Sequence, residues 1–398
     1  MAIKSIAQAE IKGKKILVRF DFNVPLDKKD PSKISDTTRI DAALPTLKYL
    51  MDQEASKIIM MSHLGRPDGK PNAKYSLEPV ASYLAEKLGK DVILTESCLD
   101  TSIPTLINLP TTKLVLLENL RFHAEEENND RSFAEKLSHY ADLYVNDAFG
   151  VSHRKHASVY EINAFFQRKN YAGFLLLKEV ETLEHMLNKP QKPFMALLGG
   201  AKVADKIKTI NRLLIAVDKL FIGGAMSYPF LKAKGINIGK SLCDDHDVEL
   251  AKSILRSDKL HKIELPLDHV VVKNFDDNEG KTTATAEIDS EFLGLDIGPQ
   301  TIQKYQELLS QAKTIFWNGP MGYFEKKAFA QGTFAMAKHL ASCKNALTII
   351  GGGDSVSAVQ QSGYADQMGH ISTGGGASLE FIEKGELPGV QALKFGLS

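Results

Sequence analysis

The chain has 398 residues, 43% of them hydrophobic and 25% charged, and its 49 Lys plus Arg are balanced by 49 Asp plus Glu. That length suggests two domains with sizeable cores. Zero net charge argues against a bulk nucleic-acid or membrane-surface binder, so any basic site must be local.

Cys98, Cys243 and Cys343 are far apart and odd in number, with no CxxC or Cys/His cluster, which indicates neither a disulfide framework nor a zinc site. No apolar run reaches transmembrane length, and the N-terminal MAIKSIAQAEIKGKK lacks the apolar segment of a signal peptide. A cytoplasmic protein is expected, without a nucleic-acid or membrane partner.

The first half alternates strand-like and helix-like runs. Strands are predicted at 15–22, 57–62, 91–95, 113–118 and 143–146, with helices at 36–53, 76–88 and 131–140. Pro45 is expected to bend the first helix. Such alternation means a parallel sheet with helices on both faces. A long helical pattern at 171–188 ends at Lys189-Pro190, a stop signal, and bridges to a second domain. There the alternation restarts, interrupted at 261–297 by a Val/Thr/Ile-rich, β-like excursion. The tail GELPGVQALKFGLS shows no clear pattern. The fold expected is α/β, with two doubly wound parallel-sheet (Rossmann-like) domains joined by a hinge helix. Their boundaries are 1–172 plus the tail 390–398, and 173–389.

Five strand candidates of the second half run straight into glycine: FMALLGG, KLFIGGAM, TIFWNGP, LTIIGGGD and HISTGGG. In an open parallel sheet ligands bind at the carboxyl ends of strands, and glycine lets backbone approach them closely. Five such junctions favour a nucleotide crevice over simple tight turns. The first, Gly199-Gly200-Ala201-Lys202, leads into a helical pattern, KVADKIKTINRLLIAV, on which Lys202 and Lys206 lie four apart and so share a face. A helix N-terminus with two lysines suits a phosphoryl group, although a glycine-punctuated turn with two solvated lysines reads as well from this stretch alone. It is not a P-loop, since GxxxxGK[ST] occurs nowhere.

The strand ends of the first half carry Arg19-Phe20-Asp21-Phe22-Asn23, Ser62-His63-Leu64-Gly65-Arg66, Glu118-Asn119-Leu120-Arg121 and Asn146-Asp147, the last leading to His153-Arg154-Lys155-His156. Arg39 opens the first helix. Parallel strands would gather these cations on one edge, where a small, multiply negative ligand such as a phosphorylated carboxylic acid would neutralise them. Taken singly, each arginine reads better as a surface residue paired locally. Asp21, inside an apolar strand, needs partners that Arg39 or Asn23 could supply.

With these motifs in order, the chain resembles the phosphoglycerate kinase family over essentially its whole length. KILVRFDFNVP, SHLGRP, LLENLRF, HRKH, LGGAKVADKI, WNGPMGYFE, GGGDS and STGGGASLE are each similar to family signatures. The resemblance implies reversible phosphoryl transfer between the acyl phosphate of 1,3-bisphosphoglycerate and ADP, giving 3-phosphoglycerate and ATP with Mg2+, by a monomer. It implies that Asp21, Asn23, Arg39, His63, Arg66, Arg121 and Arg154 bind the phosphoglycerate. On the nucleotide side it implies Lys202, Lys206, Gly223, Gly224, Gly294, Asn318, Pro320, Glu325, Gly351, Gly352, Gly353, Asp354 and Ser355, with Asp354 as the metal ligand. Arg39, Lys202 and Gly351 to Gly353 would act on the group in flight. Lys155, Val151-Ser152, Tyr323 and Ser355 depart from the residues frequent in the family.

A carboxylate nucleophile is already ionised at pH 7, so no general base is needed, and none is evident. Because the two sites fall in different halves, transfer implies closure about the bridging helix and the C-terminal segment. Two competing readings are a dinucleotide-dependent oxidoreductase, for which no convincing GxGxxG appears, and a non-catalytic interaction platform.

Overall fold

The computed structural model describes residues 3–397 and divides into two compact units. One comprises the chain up to Glu181 together with the residues from Glu386, and the other runs from Thr182 to Gly385. The division falls inside a single helix, Phe174–Asn188.

In the first unit six parallel strands stand in the order β3-β4-β2-β1-β5-β6. They are β1 (Lys15–Phe20), β2 (Lys57–Met61), β3 (Val92–Leu94), β4 (Leu114–Leu116), β5 (Leu143–Asp147) and β6 (Asn170–Ala172). Leu17 lies opposite Ile59 on one side and Tyr144 on the other. Alternation along β1 sorts its side chains by face. Ile16, Val18 and Phe20 join the core against Ile40, Leu44 and Leu47 of the helix Thr38–Asp52, while Arg19 lies on the opposite face and is fully buried there.

The predicted helices at 36–53, 76–88 and 131–140 form as Thr38–Asp52, Glu78–Leu88 and Arg131–Ser138. The first continues through Pro45. The pattern read as helix from residue 171 begins instead with β6, three residues paired to β5, and the helix starts only after Gly173. So short a strand lies below what hydrophobic periodicity can resolve. The tail holds a further helix, Pro388–Phe395, with Pro at its first position and Gly396 at its C-cap, and with Val390 and Leu393 buried. Those end signals are the usual asymmetry of proline first and glycine last.

The second unit repeats the plan with the order β15-β14-β13-β7-β8-β9. Its strands are β7 (Phe194–Leu198), β8 (Lys219–Ile222), β9 (Ile263–Glu264), β13 (Thr314–Asn318), β14 (Leu347–Gly351) and β15 (His370–Ile371), all parallel. The β-like excursion resolves into a separate antiparallel sheet of β11 (Lys281–Thr282), β10 (His269–Val272) and β12 (Leu293–Ile297). In each main sheet the order of connection reverses beside the first strand of the unit, between β1 and β5 and between β7 and β13. Crevices open at such switch points, and the strand ends that meet there carry the candidate residues.

Candidate functional site

The first cluster is built where β1 ends. Asp21 follows the strand directly and is almost wholly buried. Arg39, in the first turn of the helix Thr38–Asp52, donates from Nη1 to Asp21 Oδ2 at 3.2 Å and to the Asn23 carbonyl at 3.1 Å. Asn23 Oδ1 accepts from the Gly65 amide at 2.9 Å, and Arg121 Nη1 donates to the Gly65 carbonyl at 2.9 Å. Gly65 has φ +63°, and a Cβ there would stand 2.4 Å from the Tyr75 ring, so the turn after β2 requires glycine. His63 Nδ1 lies 3.8 Å from Asp21 Oδ1 and 3.2 Å from Arg19 Nη2.

Asp21, Asn23, Arg39, His63 and Arg121 therefore form one connected set. Arg154 is exposed, and its charge acts on both Arg121 and His156, which places it at the rim. Arg66 is exposed and makes no ion pair or hydrogen bond among the described residues. Lys155, the departure within HRKH, turns onto the Tyr160 ring, 5.1 Å from its centroid.

The arginines outnumber the carboxylates close to them, Asp21, Glu126 and Glu127, and this governs the histidines. Burial holds His63 well below the usual imidazole range, and the charges of Arg19, Arg121 and Arg39 reinforce it. His156 is pushed down to about 3 by burial, then by Arg121 and Arg19. Both are neutral at pH 7. The free positive charge belongs to arginines, which stay charged at any physiological pH. Arg19 and His156, present in the strand-end motifs but not among the residues the resemblance implies, take part in this cluster together with Glu126 and Ser158. For Arg19 the signal was present, a cation in the middle of an apolar strand. For Glu126 and Ser158 no local pattern marks them.

The second cluster is mainly backbone. Gly199 N donates to Asn318 O at 3.0 Å and Gly200 N to Pro320 O at 3.1 Å, while Gly224 N bonds Met321 O at 2.9 Å. These bonds stitch the ends of β7, β8 and β13 together. A Cβ on Gly199 would lie 1.9 Å from the Pro320 carbonyl oxygen, and one on Gly294 would lie 2.2 Å from the Tyr228 hydroxyl. Gly223 is closed off in the same way by Met321 Sδ, at 2.5 Å. Beside these glycines lies a cleft of about 430 Å³, whose lining includes Gly200, Gly224, Gly294, Pro320, Glu325 and Asp354.

The two lysines do not share a helix face. Residues 199–203 form a loop, Ala204–Lys206 a 310 turn, and the α-helix begins only at Ile207. Gly200, at φ +107°, turns the chain away before a helix can start. Lys202 is exposed and makes no hydrogen bond or ion pair among the described residues. Lys206 reaches back, donating from Nζ to Gly199 O at 2.7 Å and Asn318 O at 3.3 Å. Burial pushes its pKa down to about 8, against the opposing pull of Asp354 and Asp205.

Asn318 donates from Nδ2 to Gly351 O at 2.8 Å, while its Oδ1 is buried with no hydrogen-bond partner among the described residues. Buried acceptors are rarely left so without a ligand or water to satisfy them. Ser355 Oγ accepts from Gly319 N. Gly352 caps the helix Gly353–Gln361, whose first turn carries Asp354, exposed. A Cβ on Gly353 would meet nothing within 4 Å.

No group of three metal-ligating side chains occurs among the described residues. A magnesium ion carried by a nucleotide needs only one or two protein carboxylates beside the phosphates, and Asp354 at the cleft fits that role.

The family model for phosphoglycerate kinase matches residues 6–385. The chain belongs to the phosphoglycerate kinase family. A phosphoglycerate kinase from Anaeromyxobacter sp. (strain Fw109-5) is 48% identical over 400 residues, covering 99% of this chain and 100% of its own. A chloroplastic phosphoglycerate kinase from Volvox carteri is 49% identical over 98% of this chain and 86% of its own. Among solved structures, phosphoglycerate kinase from Coxiella burnetii superposes with a TM-score of 0.89 at 37% identity, covering 99% of each chain. The enzyme from Pyrococcus horikoshii gives 0.84 at 31% identity, again covering 99% of each. Family membership makes the protein a phosphotransferase and a kinase of glycolysis, and does not favour the oxidoreductase reading. No helix among the described residues is long and apolar enough to cross a membrane.

Proposed function

We propose that the first cluster binds 3-phosphoglycerate or the non-transferring part of 1,3-bisphosphoglycerate, and that the glycine-lined cleft binds ADP or ATP. The observation that carries the proposal is the connected set around Asp21, in which Arg39 and Arg121 are fixed by bonds to Asp21, Asn23 and Gly65. Fixed guanidinium groups suit carboxylate and phosphate, and pre-organisation lowers the cost of binding them.

The chemistry asks little of the protein beyond position and charge. The carboxylate of 3-phosphoglycerate attacks the terminal phosphoryl group of ATP already ionised, so no proton has to move. The bond to the leaving ADP oxygen breaks as the acyl phosphate bond forms. Arg39 and Lys202 would lie on opposite sides of the group in flight, with amides after Gly351 as further donors. Lys206, Gly223, Gly224, Gly294, Asn318, Pro320, Glu325 and Ser355 would shape or contact the nucleotide site. Asp354 would hold the magnesium that neutralises the nucleotide phosphates. Bringing the two substrates to within about 3–3.5 Å requires the units to close, and closure would also protect the acyl phosphate from water. The enzyme would work as a monomer in the cytoplasm.

A coupled assay with ATP, magnesium and 3-phosphoglycerate tests the reaction, and folded protein without turnover would refute it. Small-angle scattering with both substrates tests closure, which an unchanged radius of gyration would contradict.

A further inference from the structure

Behind the acid cluster lies a chain of buried polar groups that makes no use of the surface. Glu126, Ser158 and Arg19 are each wholly buried. Glu126 Oε2 accepts from the Ser158 amide at 3.0 Å, and Glu126 Oε1 accepts from Ser158 Oγ at 2.6 Å. With its proton committed to Glu126, Ser158 Oγ accepts from Arg19 Nε at 2.9 Å. Arg19 Nη1 donates to the Phe20 carbonyl, and Nη2 stands 3.2 Å from His63 Nδ1.

A guanidinium in this position can only donate. His63 Nδ1 must then be an acceptor, carrying a lone pair and no proton. The competing interaction would be Nδ1–H with Asp21 Oδ1, but that oxygen is 3.8 Å away, outside hydrogen-bond range. A doubly protonated ring is opposed by every charged group facing it except Asp21: Arg19 from β1, Arg121 from the turn after β4 and Arg39 from the helix Thr38–Asp52. His156, the other titratable neighbour, also opposes it when charged. The remaining nitrogen, Nε2, makes no hydrogen bond among the described residues.

We propose that Glu126 and Ser158 are positioning residues, which lock Arg19 and through it fix His63 as the neutral Nε2–H tautomer that offers the acid ligand an uncharged N–H donor. Glu126 supplies the counter-charge without which a buried Arg19 would be costly. Burial pushes the Glu126 pKa up, while Arg19 and the two Ser158 bonds act against that rise. The same logic governs metal-binding histidines, where a partner on one ring nitrogen sets what the other can do.

The ligand side of this inference rests on the reading of the first cluster as the phosphoglycerate site; the tautomer does not. The experiment uses full-length protein labelled with 15N-histidine, with the His63 resonances assigned by loss in His63→Gln. Long-range proton–nitrogen spectra distinguish Nε2–H, Nδ1–H and the imidazolium. The expected result is Nε2–H at neutral pH and above. An Nδ1–H or charged His63 in the unmutated protein overturns the inference without recourse to any variant.

Ser158→Ala removes the relay while keeping the Ser158 amide bond to Glu126. It should shift or broaden the His63 signal and raise KM for 3-phosphoglycerate about tenfold, the expected cost of one misplaced buried donor. The effect on kcat should be smaller. Ser158→Thr restores the hydroxyl and should restore both readouts. A tautomer and KM indifferent to Ser158→Ala would reduce the chain to packing. A correct tautomer that does not respond to 3-phosphoglycerate would leave the positioning chain standing and refute the placement of the ligand at His63.

Discussion

As proposed anion sites, the two clusters are built by opposite means. In the first unit the groups proposed to hold the anion are side chains with fixed partners, Arg39 on Asp21 and Arg121 on the Gly65 carbonyl, while Arg19 behind them is tied to Ser158 and through it to Glu126. In the second unit most of the work falls to backbone, with glycines whose missing side chains let three strand ends touch. A side-chain site can be weakened one charge at a time. A backbone site fails when anything is added. The two clusters should therefore respond to mutation in different currencies, affinity in the first and packing in the second.

Lys202 is where that contrast should break most sharply. Unlike Lys206, which is tied back to Gly199 O, it is exposed and without a partner among the described residues. A group held by nothing in the resting enzyme is free to act only when the phosphoryl group arrives. Lys202→Ala should lower kcat about 10²–10³-fold, as for loss of one donor specific to the transition state. Nucleotide affinity should change far less. Equal losses in the two, measured by steady-state kinetics beside a binding titration, would make Lys202 an ordinary ground-state contact.

The glycines sharpen the comparison from within. Gly199→Ala would press a methyl group 1.9 Å from the Pro320 carbonyl oxygen, so one strand end must move. Overpacking of this kind costs about 1–3 kcal/mol, and it should lower the thermal midpoint along with nucleotide affinity. Gly353→Ala is the counterpart, because its added methyl meets nothing in the chain. Stability should stay within about 0.5 kcal/mol. Activity should nonetheless fall, because the methyl would stand where the transferring group is proposed to lie. Full activity in Gly353→Ala would remove that residue from the site.

In the first unit the matching test is Arg154→Ala. Loss of one charge-assisted bond corresponds to about tenfold or more in KM for 3-phosphoglycerate. Stability should hardly change, since Arg154 is exposed. An unchanged KM would leave it as a rim charge only.

Sequence alone reached the two parallel sheets because their strands are apolar runs with glycine or polar residues at the ends. It reached the clustering of Asp21, Asn23, Arg39, His63 and Arg121 because β1, β2, β4 and β5 all deliver such ends to one edge. What it missed was short or non-local. β6 has three residues and no period of its own. Ser158 and Glu126 lie 139 and 32 residues from their partners Arg19 and Ser158, so no window could join them. The two lysines were misplaced for a different reason. The helical repeat in the sequence runs backward through Lys202, but the left-handed Gly200 and the 310 turn delay the helix until Ile207. Periodicity shows that a helix exists more reliably than where it begins.

That delay leads to the subtlest test. Lys206 curls back onto Gly199 O and Asn318 O, and burial lowers its pKa to about 8 from 10.5. Between those two values the unfolded chain keeps the proton that the folded chain has released. The unfolded state thus binds more protons there, and this residue makes stability rise with pH from about 8 to 10.5. A phosphate beside Nζ would reverse the depression by favouring the ammonium form. Binding nucleotide near pH 8 should then take up about half a proton at this site, since Lys206 is half-titrated there. Calorimetry in buffers of different ionisation enthalpy measures that uptake directly. Lys206→Met should abolish it, whereas Lys202→Ala should leave it in place. Uptake that survives Lys206→Met would mean that the nucleotide phosphates are held elsewhere, and that Lys206 serves only to tie the ends of β7 and β13 together.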